Sequence, residues 1–266
     1  IPVKIIDSDV HNYDIDELIE VIIKESPKLL GVVSSGANPS ASTMTMVGVL
    51  SFFQKYNKLK SKPCSTFIIG GHPTVLPHRS LRETKSDFVI IGEGYQAVEG
   101  LYNHVKFGKK LSSVPGIGYI KKDIYFENKI PELIDVATLP MINWKKMNPS
   151  DYKAHNWHCF GKNINNRKPY AIIWTNQGCP YPCDFCSINN IFGKRRYRLR
   201  TMNEVMSEID ILVNDYGVKN LKILDELFIV KHKRMIEFCE LLEERKYDLN
   251  MWCFARTDTV TPETLK

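Results

Sequence analysis

Short apolar runs alternate with segments of helical period along the first ~130 residues, the pattern of a parallel-sheet α/β domain. Val3 to Ile6 reads as a β-branched strand. Asp14-Ile15-Asp16-Glu17 opens a helix as a capping box, with Leu18, Val21 and Ile22 as its buried stripe. Leu29 to Val33 reads as a second strand running into the turn Ser34-Ser35-Gly36, and a helix through Met44, Val47 and Leu50 follows. Thr66 to Ile69 is a third strand, ending in Gly70-Gly71-His72-Pro73. Phe88 to Ile91 is a fourth, ending in Gly92-Glu93-Gly94. Gly116 to Tyr119 and Ile124 to Phe126 form a hairpin around Lys121-Lys122-Asp123.

The period changes again after residue 168. Tyr170 to Thr175 is an apolar strand, and Thr201-Met202-Asn203-Glu204 is a second capping box. Val205, Ile209, Leu212 and Val213 give the helix that follows one apolar face, and Gly217 stops it. Val218 to Leu224 is the next strand, closed by Asp225-Glu226-Leu227-Phe228. Met251 to Ala255 is another, ending in Arg256-Thr257-Asp258. The expected organisation is an α/β domain over 1–135, a connection over 136–168 and a (β/α) unit over 169–266. His155, Trp157 and His158 in the connection are assigned packing and surface roles.

Composition narrows the class only slightly. With 43% hydrophobic and 25% charged residues in 266, the chain is an ordinary globular protein, with no apolar run of the ~18 residues a bilayer demands. The net charge of +6 has one dense contribution, Lys194-Arg195-Arg196-Tyr197-Arg198-Leu199-Arg200. A nucleic-acid patch would use such residues against phosphates, but a solvated loop with one or two arginines facing an anionic group is the better reading. Seven cysteines, three of them clustered, fit a reducing cytoplasm rather than a disulfide scaffold. Cys64, Cys159, Cys239 and Cys253 are scattered and read as ordinary residues. The chain opens on Ile1 and stops inside a new helical pattern, so both ends read as cut.

The chemistry lies in Gly178-Cys179-Pro180-Tyr181-Pro182-Cys183-Asp184-Phe185-Cys186, placed directly after a strand. Structural zinc wants four closed ligands, and no second C-x2-C pair follows; a disulfide would leave one thiol over. A four-iron cluster is normally closed by four thiolates, so three on one loop leave a corner open for chemistry. This C-x3-C-x2-C loop resembles the signature of the radical SAM superfamily. The resemblance implies that Cys179, Cys183 and Cys186 hold a 4Fe-4S cluster whose open iron takes S-adenosylmethionine, with Phe185 near the adenine. It also implies a partial (β/α) barrel in which Asp225 or Glu226 meets the ammonium of S-adenosylmethionine, where the family often has Gly-Gly-Glu. Arg256 is a candidate for an anionic or ribose contact, or equally for a structural salt bridge.

The three small-residue turns of the first half resemble a cobalamin-binding domain that precedes the barrel in one large subfamily. That resemblance implies a cobalamin pocket lined by Ser34, Ser35, Gly70, Gly71, His72, Gly92, Glu93 and Gly94. Asp9-Val10-His11 imitates the start of a cobalt-ligating motif, but Asp14 stands where that motif has glycine, so His11 is read as a surface residue. The expected activity is methyl transfer to an unreactive centre of a small molecule, with a reductant such as flavodoxin or ferredoxin. The alternatives are an oxidative cyclase and a non-catalytic cobalamin or iron–sulfur sensor. No side chain is assigned a covalent catalytic role.

Overall fold

The computed structural model describes residues 1–35, 41–155, 166–193 and 195–265, the side chains of residues 41–44 apart. Gly36, Trp157, His158, Cys159 and Lys194, and the side chain of Met44, lie outside the described set. Two compact units account for the chain: Ile1–Leu133 with Pro182–Lys194, and Ile134–Tyr181 with Arg195–Lys266. The connection expected over 136–168 therefore belongs to the second unit. Within the cysteine loop the chain passes from the second unit to the first between Tyr181 and Pro182.

The first unit is built on a five-stranded sheet of order β1-β2-β3-β4-β5: β1 (Leu29–Ser34), β2 (Ser65–Gly70), β3 (Phe88–Ile90), β4 (Ile117–Lys121) and β5 (Ile124–Glu127). The first three strands are parallel, β4 adds antiparallel to β3, and β5 adds antiparallel to β4. Lys122 and Asp123 at the hairpin tip both have positive φ, as a two-residue turn matched to strand twist demands. Alternation along the strands sends Ile68 and Val89 to one face and Phe67, Phe88 and Ile90 to the other.

On the first face lie α2 (Ile15–Glu25), α3 (Ala41–Tyr56) and α5 (Pro77–Thr84); α6 (Tyr95–Phe107) covers the second. Helices on both faces of a parallel sheet are what the strand–helix alternation requires. The capping box at α2 is present in full: the Asp14 carboxylate accepts from the Asp16 and Glu17 N–H groups, and Glu17 accepts from the Asp14 N–H.

Several expectations are corrected here. Val3 to Ile6 forms no strand; its exposed residues run as coil, with Lys4 Nζ 2.5 Å from Glu25 Oε1 and only Ile6 packing on the core. β-propensity alone does not make a strand where no neighbouring strand pairs with the run. The buried stripe of α2 centres on Ile19 and Ile22, and Val47 of α3 is 70% exposed while Met46, Val49, Phe52, Phe53 and Tyr56 are buried. Apolar residues outnumber the inward positions on both helices, so composition alone misplaces the stripe. His11 ends a one-turn helix, α1 (Ser8–His11), and is exposed.

Gly70 carries a sharper constraint than a turn. Its φ is +145° and ψ −173°, and a Cβ there would stand 1.9 Å from the Ser34 carbonyl oxygen. Only glycine reaches this region of backbone space cheaply. Gly70→Ala is therefore expected to destabilise the first unit by about 2–3 kcal/mol, read as a lowered thermal midpoint. An unchanged midpoint would mean that the β1–β2 ends do not approach so closely.

In the second unit β6 (Tyr170–Ile173), β9 (Asn220–Ile223) and β10 (Asn250–Trp252) form a parallel sheet of order β10-β9-β6. β7 (Asn176–Gln177) pairs antiparallel with β8 (Arg198–Leu199), a ribbon the sequence pattern does not reveal. Two-residue strands carry no periodicity to read. Ala171, Ile173, Leu221 and Ile223 face α8 (Met202–Asn214) and α9 (His232–Arg245), where Val205, Ile209, Leu212 and Phe238 complete the core. The Thr201 capping box forms as expected. On the opposite face of the sheet the Lys222 ammonium lies 4.7 Å from the Trp252 ring centroid, and burial lowers its pKa. No described helix is long and apolar enough to cross a membrane.

Candidate metal and cofactor centre

Because β6, β9 and β10 are parallel, their carboxyl ends share one edge of the sheet. In parallel barrels that edge carries the functional loops. The residues following β6 are fastened before the cysteines begin. Thr175 and Asn176 each donate a backbone N–H to Asp225 Oδ1, at 2.7 and 3.2 Å. Thr175 Oγ1 and Asn176 Nδ2 each lie 2.5 Å from Asp225 Oδ2. The Thr175 carbonyl accepts from the Arg200 N–H at 3.0 Å and from Arg234 Nη2 at 3.3 Å.

A second knot lies beside it. Glu208 is fully buried, accepting from Trp144 Nε1 at 3.1 Å and from Arg200 Nη1 at 2.5 Å, and Arg200 also reaches the Trp174 carbonyl at 2.8 Å. The sequence reading missed this knot. Its signal is an acid at position 208 inside the apolar face of α8, next to Ile209 and one turn from Val205 and Leu212. A charge inside an apolar stripe needs a buried partner.

These contacts redistribute the two carboxylates expected at S-adenosylmethionine. Asp225 is 0% exposed and both its oxygens are engaged by Thr175 and Asn176; burial pushes its carboxyl up to about 7 against those donors. It ties β9 to β6. Glu226 is only partly buried, and its Oε2 accepts from the Gly178 N–H at 3.1 Å, immediately before Cys179. Burial raises its pKa, while its hydrogen bonds and the Arg198 charge oppose that rise. Arg198 itself is anchored to the Ile134 carbonyl at 2.7 Å. Of the expected pair, Glu226 is the carboxylate placed at the root of the cysteine loop.

Arg256 follows β10 and is taken up by neighbours. Its Nε and Nη2 meet Asp258 Oδ1 and Oδ2 at 2.8 and 2.7 Å, and its guanidinium lies 4.1 Å from the Tyr181 ring centroid. The Arg256 charge holds the exposed Asp258 carboxyl below its usual range. Tyr197, between Asn176 and Arg234, has its phenol pushed up to about 12 by burial and by the Asp225 charge.

The other members of the loop belong to the first unit. The Cys183 carbonyl accepts from the Cys186 N–H at 3.1 Å, closing a turn, and Phe185 within it is 96% exposed. Cys179 and Cys183 are half-buried and Cys186 is exposed. Among the described residues no three His, Cys, Asp or Glu side chains are gathered in metal-holding geometry. The donor set nonetheless suits a thiolate-bound cluster: three cysteines on one short loop, with a large ring beside the last.

The helix after the loop, α7 (Ile188–Ile191), packs against α4 (Gly71–Val75), which starts at the end of β2. That is also the edge of the first sheet where the small-residue turns gather. Gly92 has φ +87°, and its Cβ would meet nothing closer than 3.9 Å, so packing does not explain the missing side chain. Gly94 caps α6 against Ile69. Gly71, His72 and Glu93 are partly exposed on this edge, Ser35 is exposed, and burial lowers the pKa of His72. Ser34 is different: it is fully buried and its hydroxyl lies 3.2 Å from Thr45 Oγ1. At this edge Gly92 leaves room that a side chain would fill, while Ser34 lies buried beneath it.

No protein-family model matches the chain. Over 269 residues it is 25% identical to an uncharacterized methyltransferase of Pyrococcus horikoshii, covering 99% of this chain and 54% of that protein. Over 183 residues it is 31% identical to the anaerobic magnesium-protoporphyrin IX monomethyl ester cyclase of Rubrivivax gelatinosus, covering 67% of this chain and 31% of that protein. The chain thus spans about half, or less, of the length of these relatives. Among solved structures, it matches the cobalamin-dependent S-adenosylmethionine radical enzyme OxsB, with aqua-cobalamin and S-adenosylmethionine bound, at TM-score 0.69 and 19% identity. That match covers 97% of this chain and 34% of OxsB. The chain is thus similar in sequence to a methyltransferase and to a cyclase, and it shares the fold of the S-adenosylmethionine radical enzyme OxsB.

Proposed function

We propose that this chain forms the cobalamin-binding and cluster-binding portion of a radical SAM methyltransferase acting on a small molecule. The observation that carries the reading is the root of the cysteine loop. A three-thiol motif leaves the carboxyl end of a parallel strand, with the Glu226 carboxylate bonded at Gly178. Cys179, Cys183 and Cys186 would hold the cluster, and Glu226 would receive the ammonium of S-adenosylmethionine as a charge-assisted hydrogen bond. The exposed Phe185 ring would cover the adenine, while Ser35, Gly70, Gly71, His72, Gly92, Glu93 and Gly94 would line the cobalamin pocket. When bound, the reduced cluster supplies an electron for cleavage of the sulfonium, and cobalamin supplies a methyl carrier.

The protein's own contribution is rigidity and exclusion. The Asp225 and Glu208 knots fix the strand end from which the loop departs. Preorganisation of this kind is what a site of several ligands requires. A flavodoxin- or ferredoxin-type reductant and a cytoplasmic setting complete the reading, supported by the cluster chemistry and by cysteine usage.

The test is anaerobic purification of the full-length protein with cobalamin supplied. About four irons per chain, bound cobalamin, and S-adenosylhomocysteine formed in step with a methylated product are expected. The cyclase similarity favours a second outcome, an oxidised, ring-closed product carrying no new methyl group. Cluster and cobalamin uptake without either reaction would leave a sensor. Glu226→Gln is expected to weaken S-adenosylmethionine binding by roughly 10- to 100-fold, measured calorimetrically on the cluster-loaded protein. Unaltered affinity would remove Glu226 from the site.

A further inference from the structure

Tyr181 is the middle residue of Cys179-Pro180-Tyr181-Pro182-Cys183. Two prolines leave this stretch little backbone to be held by, since neither ring nitrogen carries a hydrogen. The aromatic ring offers another handle, and the structure grips it. The Arg256 guanidinium carbon lies over the ring, 4.1 Å from its centroid. Its edge is fixed by the two-pronged contact with Asp258. The turn that presents it is closed upon itself: Thr259 Oγ1 accepts from the Arg256 N–H at 3.3 Å and donates to the Arg256 carbonyl at 3.0 Å, and the Thr259 N–H reaches that carbonyl at 3.1 Å.

We propose that Arg256, aimed by Asp258 and stacked on Tyr181, is a positioning residue that fixes the centre of the cysteine loop. This rests on the cluster reading above and changes the role of Arg256 within it, from a contact with S-adenosylmethionine to a brace for the ligands. A guanidinium held in plane by a carboxylate keeps one face for an aromatic ring, and arginine stacks so more often than lysine. A fixed Tyr181 restricts Cys179 and Cys183, two residues away on either side. The loop then has less backbone freedom to lose when its thiols close on iron, and iron leaves slowly once bound.

The experiment uses full-length protein, metal-free and anaerobically reconstituted, with Tyr181→Leu, Tyr181→Phe, Arg256→Met and Asp258→Asn. Three readouts are taken: amide exchange across 178–186 in the metal-free protein, the rate of iron loss to a chelator, and the EPR signal of the reduced cluster without S-adenosylmethionine. Tyr181→Leu and Arg256→Met should each speed exchange and iron loss by roughly 5- to 10-fold and broaden the signal. Asp258→Asn should do the same to a smaller degree, and Tyr181→Phe, which keeps the ring, should restore wild-type behaviour.

Wild-type exchange and iron retention in Tyr181→Leu would overturn the brace. So would an Arg256→Met effect that emerges only when S-adenosylmethionine is added. If the wild-type protein takes up no iron, the cluster reading itself falls, and the exchange measurement still decides whether Arg256 holds the loop.

Discussion

Alanine at Cys183 is expected to leave the reconstituted full-length protein well short of a full cluster and to lower 5′-deoxyadenosine formation by more than about 100-fold. Each loop thiolate closes one corner of the cluster, and the loop has no spare donor of the same kind. Cys64 and Cys253 make suitable controls. Burial and neighbouring groups push the Cys64 thiol up, and its Sγ lies 3.6 Å from Tyr56 Oη in the core of the first unit. Burial pushes Cys253 up to about 11. A buried thiol with a raised pKa gives up its proton to a metal at greater cost, and neither residue lies on the cysteine loop. Cys64→Ala and Cys253→Ala should therefore retain the full iron content. Iron analysis with the absorption spectrum checks all three variants, and wild-type iron in Cys183→Ala would remove the cluster assignment.

The second large effect concerns stability. Asp225→Ala is expected to cost about 3–5 kcal/mol, because the N–H groups of Thr175 and Asn176 and the Thr175 hydroxyl would lose their buried acceptor. Denaturant unfolding at neutral pH measures it, and a loss below about 1 kcal/mol would show that the knot is dispensable. The pH dependence has a definite sign. Burial raises the folded-state pKa of Asp225 to about 7, above the value of 3.8 for an unperturbed aspartate. The folded protein thus binds this proton more tightly than the unfolded chain. The associated stability is fully present below about pH 4 and is lost as pH rises through about 7. Asp225→Asn should flatten that slope.

The two carboxylates at 225 and 226 show where reading a sequence stops. Adjacent acids after a strand read equally well as ammonium ligands, since both sit at the carboxyl end of β9. Beyond the end of β9 the chain sends their side chains to different partners. One is enclosed by Thr175 and Asn176, fifty residues earlier in the chain, and the other reaches Gly178. Arg256 behaves similarly. Its place after β10 was legible, but its partners Asp258 and Tyr181 are a matter of tertiary approach. The Glu208–Trp144 bond joins residues 64 apart. No local pattern encodes such a pairing.

By itself the sequence determined the alternation of strands and helices, both capping boxes, the hairpin at Lys122-Asp123 and the cysteine loop after β6. All of these are set by hydrogen bonds, turn geometry and apolar spacing within a few residues, which a linear string records. Tertiary structure decided which apolar residues of α2 and α3 face the core, why Val3 to Ile6 pairs with no strand, and where the chain divides into units. It also assigned Asp225 to stability and Glu226 to the loop. These outcomes depend on neighbours brought close by folding, because a side chain's burial and partners are properties of the space around it.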